Sequence, residues 1–70
     1  MVSIKVVSEA TGNPAHRSRV VVYSGGNYEK YTDENGLAHF ESISPGSYTV
    51  YVDGKEQGVL SLSGVTVVYI

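Results

Sequence analysis

The sequence predicts an all-β sandwich or barrel of about seven short strands. Three observations point there. Short segments either alternate apolar and polar residues or are rich in β-branched and aromatic ones. Turn formers interrupt these segments roughly every 8–12 residues. No stretch carries a helical period of useful length.

The elements follow in order. Val2-Ser3-Ile4-Lys5-Val6 alternates strictly and opens the chain as a strand. Thr11-Gly12-Asn13-Pro14 breaks it. Arg19 to Tyr23 is a β-branched second strand, and Ser24-Gly25-Gly26-Asn27 reverses the chain into an extended segment, Tyr28 to Thr32. Asp33-Glu34-Asn35-Gly36 is the clearest turn: Asp caps it and Gly36 supplies a positive φ. Leu37 to Glu41 is the fourth strand, with Ala38 and Phe40 on one face and Leu37 and His39 on the other. Ser44-Pro45-Gly46 turns the chain again. Ser47 to Val52 then points Tyr48, Val50 and Val52 inward and Thr49 and Tyr51 outward. Asp53-Gly54 is the strongest short hairpin signal. Val59 to Leu62, Ser63-Gly64 and Val65 to Ile70 complete the pattern. The expected core is Val2, Ile4, Val6, Val20, Val22, Ala38, Phe40, Ile43, Tyr48, Val50, Val52, Leu60, Val65 and Val67.

Seventy residues hold one small domain, here residues 1–70. Zero cysteines remove disulfides and thiolate metal sites, and His16 and His39 do not make a conventional structural zinc site. The apolar core, a partner or a neighbouring domain must therefore hold the fold. Five Lys+Arg against seven Asp+Glu leave a net charge of -2 and no basic stripe, which argues against nucleic acid. No apolar run approaches the roughly 20 residues of a spanning helix. The N-terminus lacks the charged and apolar regions of a signal peptide, so none is expected on the chain as written.

The middle of the chain carries a motif. Thr32-Asp33-Glu34-Asn35-Gly36-Leu37-Ala38-His39-Phe40 is followed by Ile43-Ser44-Pro45-Gly46-Ser47-Tyr48-Thr49-Val50. This resembles the T-D-x-x-G-x-a-x-F … l-x-P-G-x-Y-x-v pattern of carboxypeptidase-regulatory-like and collagen-adhesin B-type domains. Thr11 to Ala15 and Val20-Val21-Val22 resemble the opening G-x-P-a-x-x-x-x-V-x-V of the same group. The resemblance covers roughly Ser3 to Val52. It implies a transthyretin-like (prealbumin-like, Ig-like) seven-stranded sandwich. It also implies a stalk, spacer or docking role in surface or secreted proteins. The motif residues are turn and core formers, so they specify a fold and no chemistry.

Four constellations bear on function. A self-forming isopeptide bond, which some collagen-adhesin B-type domains make, needs a first-strand Lys and a last-strand Asn or Asp. Lys5 is present, but Val59 to Ile70 holds neither partner, so Lys5 reads as a solvent-facing strand residue. Hydroxyisourate hydrolase shares the fold and uses a first-strand His and a C-terminal Tyr-Arg-Gly-Ser. This chain has no first-strand His and ends Val67-Val68-Tyr69-Ile70. His16, Arg17 and His39 would need a common pocket to act, so no catalytic residue is assigned. Asp33, Glu34 and Asn35 could suggest calcium, but such a site takes six to eight oxygens, and a capped turn is the expected reading. No metal or other cofactor is expected.

The tyrosines are the remaining signal. Tyr23, Tyr28, Tyr31 and Tyr69 cannot all be buried in so small a core, and Tyr51 points outward. Exposed Tyr beside Ser and Thr suits a protein interface, and the same rings could stack on a glycan. The expected function is a non-catalytic interaction module that presents a face built from Tyr51, Thr49, His39 and Tyr23. The uncharged strand Val65 to Ile70, apolar on both sides, adds an edge for a protein partner or self-association. A carbohydrate-binding module and a degenerate relative of hydroxyisourate hydrolase are the alternatives. Nucleic acid and membrane insertion are not expected.

Overall fold

The computed structural model describes residues Met1–Ile70. Seven strands form in order: β1 (Val2–Val7), β2 (Arg19–Tyr23), β3 (Asn27–Tyr31), β4 (Leu37–Phe40), β5 (Gly46–Val52), β6 (Lys55–Leu62) and β7 (Gly64–Tyr69). They make two packed sheets, one in the order β4-β1-β7 and one in the order β3-β2-β5-β6. The chain is thus an all-β sandwich. All neighbouring strands run antiparallel except β1 and β7, which are parallel, with Ser3 beside Val65 and Lys5 beside Val67.

Local chemistry explains the elements. The reversal between β5 and β6 is a two-residue turn, with Asp53 at φ 51° and Gly54 at φ 83°. Both central residues thus have the positive φ of a type I′ hairpin. The turn pairs Val52 with Lys55, so β6 starts four residues before the expected Val59. Its first half, Lys55-Glu56-Gln57-Gly58, is too polar to read as a strand, and a register shift between Val50 and Tyr51 breaks the alternation further.

Twelve apolar residues form the core: Val2, Ile4, Val6, Val20, Val22, Ala38, Phe40, Ile43, Val50, Val52, Leu62 and Val68. Tyr48 and Leu60, expected within it, are half-buried and pack against its margin. Tyr48 turns its hydroxyl out of the core and donates to the Ser44 carbonyl at 2.7 Å. Val65 and Val67 correct the expectation: they are 60% and 45% exposed. Val68 is buried in their place. The strand is apolar on both faces, so alternation alone could not orient it. Pairing with β1 decides: Val68 lies beside inward Val6, and Val67 lies beside outward Lys5.

The Thr32-to-Leu37 motif works as a clasp. Thr32 is buried, accepts from the Ser18 N–H at 2.8 Å and donates to the Ala15 carbonyl at 2.7 Å. It ties the long β1–β2 loop to the start of the β3–β4 turn. Asp33 Oδ1 accepts the N–H groups of Asn35 (2.8 Å) and Leu37 (3.0 Å). The Leu37 N–H does most to hold the Asp33 carboxyl below its ordinary value of 3.8. Partial desolvation opposes this, while the Asn35 N–H and then the charges of His39 and His16 reinforce it.

Candidate interaction surface

The outer face of the four-stranded sheet is set by pairing. Tyr23 on β2 lies between Asn27 on β3 and Thr49 on β5, and Thr49 in turn lies beside Val59 on β6. The next row runs Glu29, Val21, Tyr51, Glu56. Tyr31 and Arg19 begin a third. Tyr23 (54%), Tyr31 (60%) and Val59 (69%) are exposed. Thr49, Tyr51 and Val21 are half-buried between them. A shallow groove of about 500 Å³ runs along this face, lined by Arg19, Val21, Tyr23, Asn27, Glu29 and Tyr51. Arg19 and Glu29 form an ion pair of 3.5 Å at its side. Both are well exposed, so the pair orients side chains more than it stabilises the fold.

Three of the four expected face residues, Tyr23, Thr49 and Tyr51, therefore sit together. His39 does not join them. It lies on β4, opposite Ser3, on the outer face of the other sheet. The strand is half-exposed in either sheet, and nothing in its own alternation says which sheet it enters. Val59 and Tyr31 complete the face that the sequence outlined in part. Val59 was legible: with Leu60 expected inward, the residue before it turns outward. The closeness of Tyr31 to Arg19 depended on the β2–β3 register.

His39 Nδ1 lies 2.7 Å from Ser3 Oγ. A serine–histidine contact of this length could suggest nucleophilic catalysis, but Ser3 is 3% exposed and lies beneath its neighbours. A substrate has no approach to that oxygen. His16 and Arg17 lie in the β1–β2 loop, where Arg17 adopts φ 59°. None of the three surface clefts is lined by His16, Arg17 or His39. Lys5 lies half-buried on the outer face of β1, between Leu37 and Val67. Asp33 commits its Oδ1 to two backbone N–H groups, and Glu34 and Asn35 stand exposed beside it.

The model of the DR_A0283-like, Ig-like domain matches residues 1–68. The chain belongs to this family of Ig-like domains. The Ig-like domain is also similar to part of a protein named 3' cyclic ADP-D-ribose synthase AaTIR, from Aquimarina amphilecti. The two are 44% identical over 55 residues, which cover 77% of this chain and 17% of that protein. The chain thus spans less than a fifth of the curated relative it matches.

Proposed function

We propose that the chain is a non-catalytic interaction module that docks a protein partner through the outer face of β3-β2-β5-β6. The observation that carries this reading is the row Asn27–Tyr23–Thr49–Val59, which crosses all four strands and places an exposed aromatic and an exposed aliphatic side chain on either side of Thr49. Rigid aromatic anchors within a polar rim are the anatomy of binding hot spots. Here Asn27, Glu29, Arg19 and Glu56 supply the rim. The burial of Ser3, and the position of His16, Arg17 and His39 away from any cleft, support a role without chemistry of its own.

The relative supports an accessory role. The matched stretch is a small fraction of a protein named as a synthase, and in this reading the synthase chemistry belongs to the remainder. The central T-D-x-x-G and P-G-x-Y motifs support a finer placement within Ig-like sandwiches, beside carboxypeptidase-regulatory-like, transthyretin-like domains.

The test is a photo-crosslinking amino acid placed at Tyr23, with a second copy of the experiment at Ala10 in the β1–β2 loop. Protein adducts at Tyr23 that are missing at Ala10, and that compete away with unlabelled chain, support docking. Adducts equal at both positions would sink it. A second reading rests on the groove itself, where Tyr23 and Tyr51 stand beside Arg19, Asn27 and Glu29. Those groups could stack on and hydrogen-bond a sugar. Glycan-array binding that Tyr51→Ala abolishes would favour that reading over a protein partner.

A further inference from the structure

The two sheets have four edge strands, and three of them carry features that discourage pairing. β3 presents Glu29 and Lys30. β4 is four residues long. β6 begins with Lys55-Glu56 and breaks register opposite Val50 and Tyr51. These are the usual protections of an exposed edge. β7 has none of them: six residues, Gly64-Val65-Thr66-Val67-Val68-Tyr69, with no charge, no proline and no register shift against β1.

The backbone of β7 is open on its far side. The Ile70 N–H donates to the Val7 carbonyl at 2.9 Å, and the Ile70 carbonyl accepts from the Glu9 N–H at 2.8 Å. Backbone groups alternate in direction along a strand. Val68 and Thr66 therefore face β1 as Ile70 does, while Val65, Val67 and Tyr69 turn their N–H and C=O groups to the open side. Their side chains are also the exposed ones, at 60%, 45% and 61%.

We propose that β7 pairs antiparallel with β7 of a second copy, about a two-fold axis through Val67. The pairing joins two three-stranded sheets into one of six. The strand is complementary to itself in this register. Val67 opposes its own copy, and Val65 opposes Tyr69 of the second copy, an aromatic against a β-branched residue. On the inner face Thr66 opposes Val68. The residues with outward backbone groups are the ones that meet, so each of the three pairs exchanges two N–H···O=C bonds. A symmetric contact of this kind closes on itself and leaves no further edge of β7. An uncharged strand also meets its copy without like-charge repulsion. The area is modest, about half of the roughly 800 Å² per partner of a standard interface, so the dimer is reversible and concentration-dependent. This surface is separate from the tyrosine face and extends the interaction role to a second site.

The test is sedimentation velocity from about 10 μM to about 1 mM, where an interface this small associates. The mass should rise from 7.5 kDa toward twice that value. Val67→Glu should remain monomeric throughout. Its carboxylate sits beside Lys5 in its own chain, which favours folding, but opposes an identical charge across the axis. Mixing Val67→Glu with Val67→Lys should restore the doubled mass, because position 67 then meets an opposite charge. Tyr23→Ala should dimerise like the unaltered chain, which separates this inference from the docking face. Hydrogen exchange gives a readout without substitution: amides of Val65, Val67 and Tyr69 should slow as concentration rises, and those of β3 should not. A chain that stays monomeric at about 1 mM, a dimer that Val67→Glu leaves intact, or a charge mixture that stays monomeric overturns the proposal.

Discussion

Gly36 packs its Cα against the backbone of Val6 so closely that a Cβ there would stand 2.6 Å from the Val6 carbonyl oxygen. The Gly36 carbonyl also accepts the Val6 N–H at 2.8 Å. The turn after β3 is thereby stitched onto β1, and the same Cβ would also stand 2.9 Å from Pro14 Cβ and 3.3 Å from the Ala15 nitrogen. Gly36 also has φ 76°, so glycine is required twice over, by torsion and by space.

Gly36→Ala should therefore cost about 3 kcal/mol or more, the sum of left-handed strain and a backbone collision that no rotamer relieves. Urea unfolding measures it. Gly12 has the same φ of 76° but no atom within 4 Å, so Gly12→Ala should cost about 1–2 kcal/mol. Equal losses at the two positions would show that the close approach to Val6 contributes nothing.

Thr32 is the second point of the clasp. Thr32→Val keeps the shape and removes the hydroxyl, leaving the Ser18 N–H and the Ala15 carbonyl without their partner. The expected loss is about 2–3 kcal/mol, since a buried donor left unpaired keeps its desolvation cost. Thr32→Ser should recover most of it. A serine variant as unstable as the valine variant would assign the effect to packing of the methyl group.

Asp33 makes the fold sensitive to acid. Its carboxyl is held below 3.8 in the folded chain, chiefly by the Leu37 N–H, so the unfolded chain binds its proton first as pH falls. The stabilisation is complete above about pH 4 and drains away as pH drops through the lower folded-state value. Asp33→Asn keeps an oxygen for the Asn35 and Leu37 N–H groups and does not titrate. Stability measured from pH 5 down to pH 2 should fall less steeply for Asp33→Asn than for the unaltered chain. Parallel curves would contradict that assignment.

Neighbours on β7 should respond in opposite ways. Val68→Ala removes two buried methyl groups and should cost about 2 kcal/mol. Val65→Thr alters an exposed position and should stay within about 0.5 kcal/mol in dilute monomer. Thermal or urea unfolding decides between this register and one in which Val65 and Val67 point inward, which would reverse the order.

Thr49 and Tyr51 could be placed outward because β5 alternates, and Tyr23 because Val20 and Val22 were expected in the core. His39 was outward as well, but sheet membership is a long-range property, and β4 pairs with β1 rather than with β2 or β5. Val59 became part of the face because the hairpin turn at Asp53-Gly54 set its row against Thr49.

The sequence by itself determined that this chain folds as β-strands, where most of them turn, and which residues fill most of the core. Those properties are local: a period of two, a left-handed glycine, a proline before a reversal. Tertiary structure decided the rest. β7 reads as apolar on both faces, and its parallel register with β1 is what buries Val68 and exposes Val65 and Val67. Thr32 reads as one more polar strand residue, and the return of the β1–β2 loop is what makes it a buried clasp. Both outcomes arise from contacts between segments far apart in the chain, where side-chain periodicity carries no information about which strand becomes a neighbour.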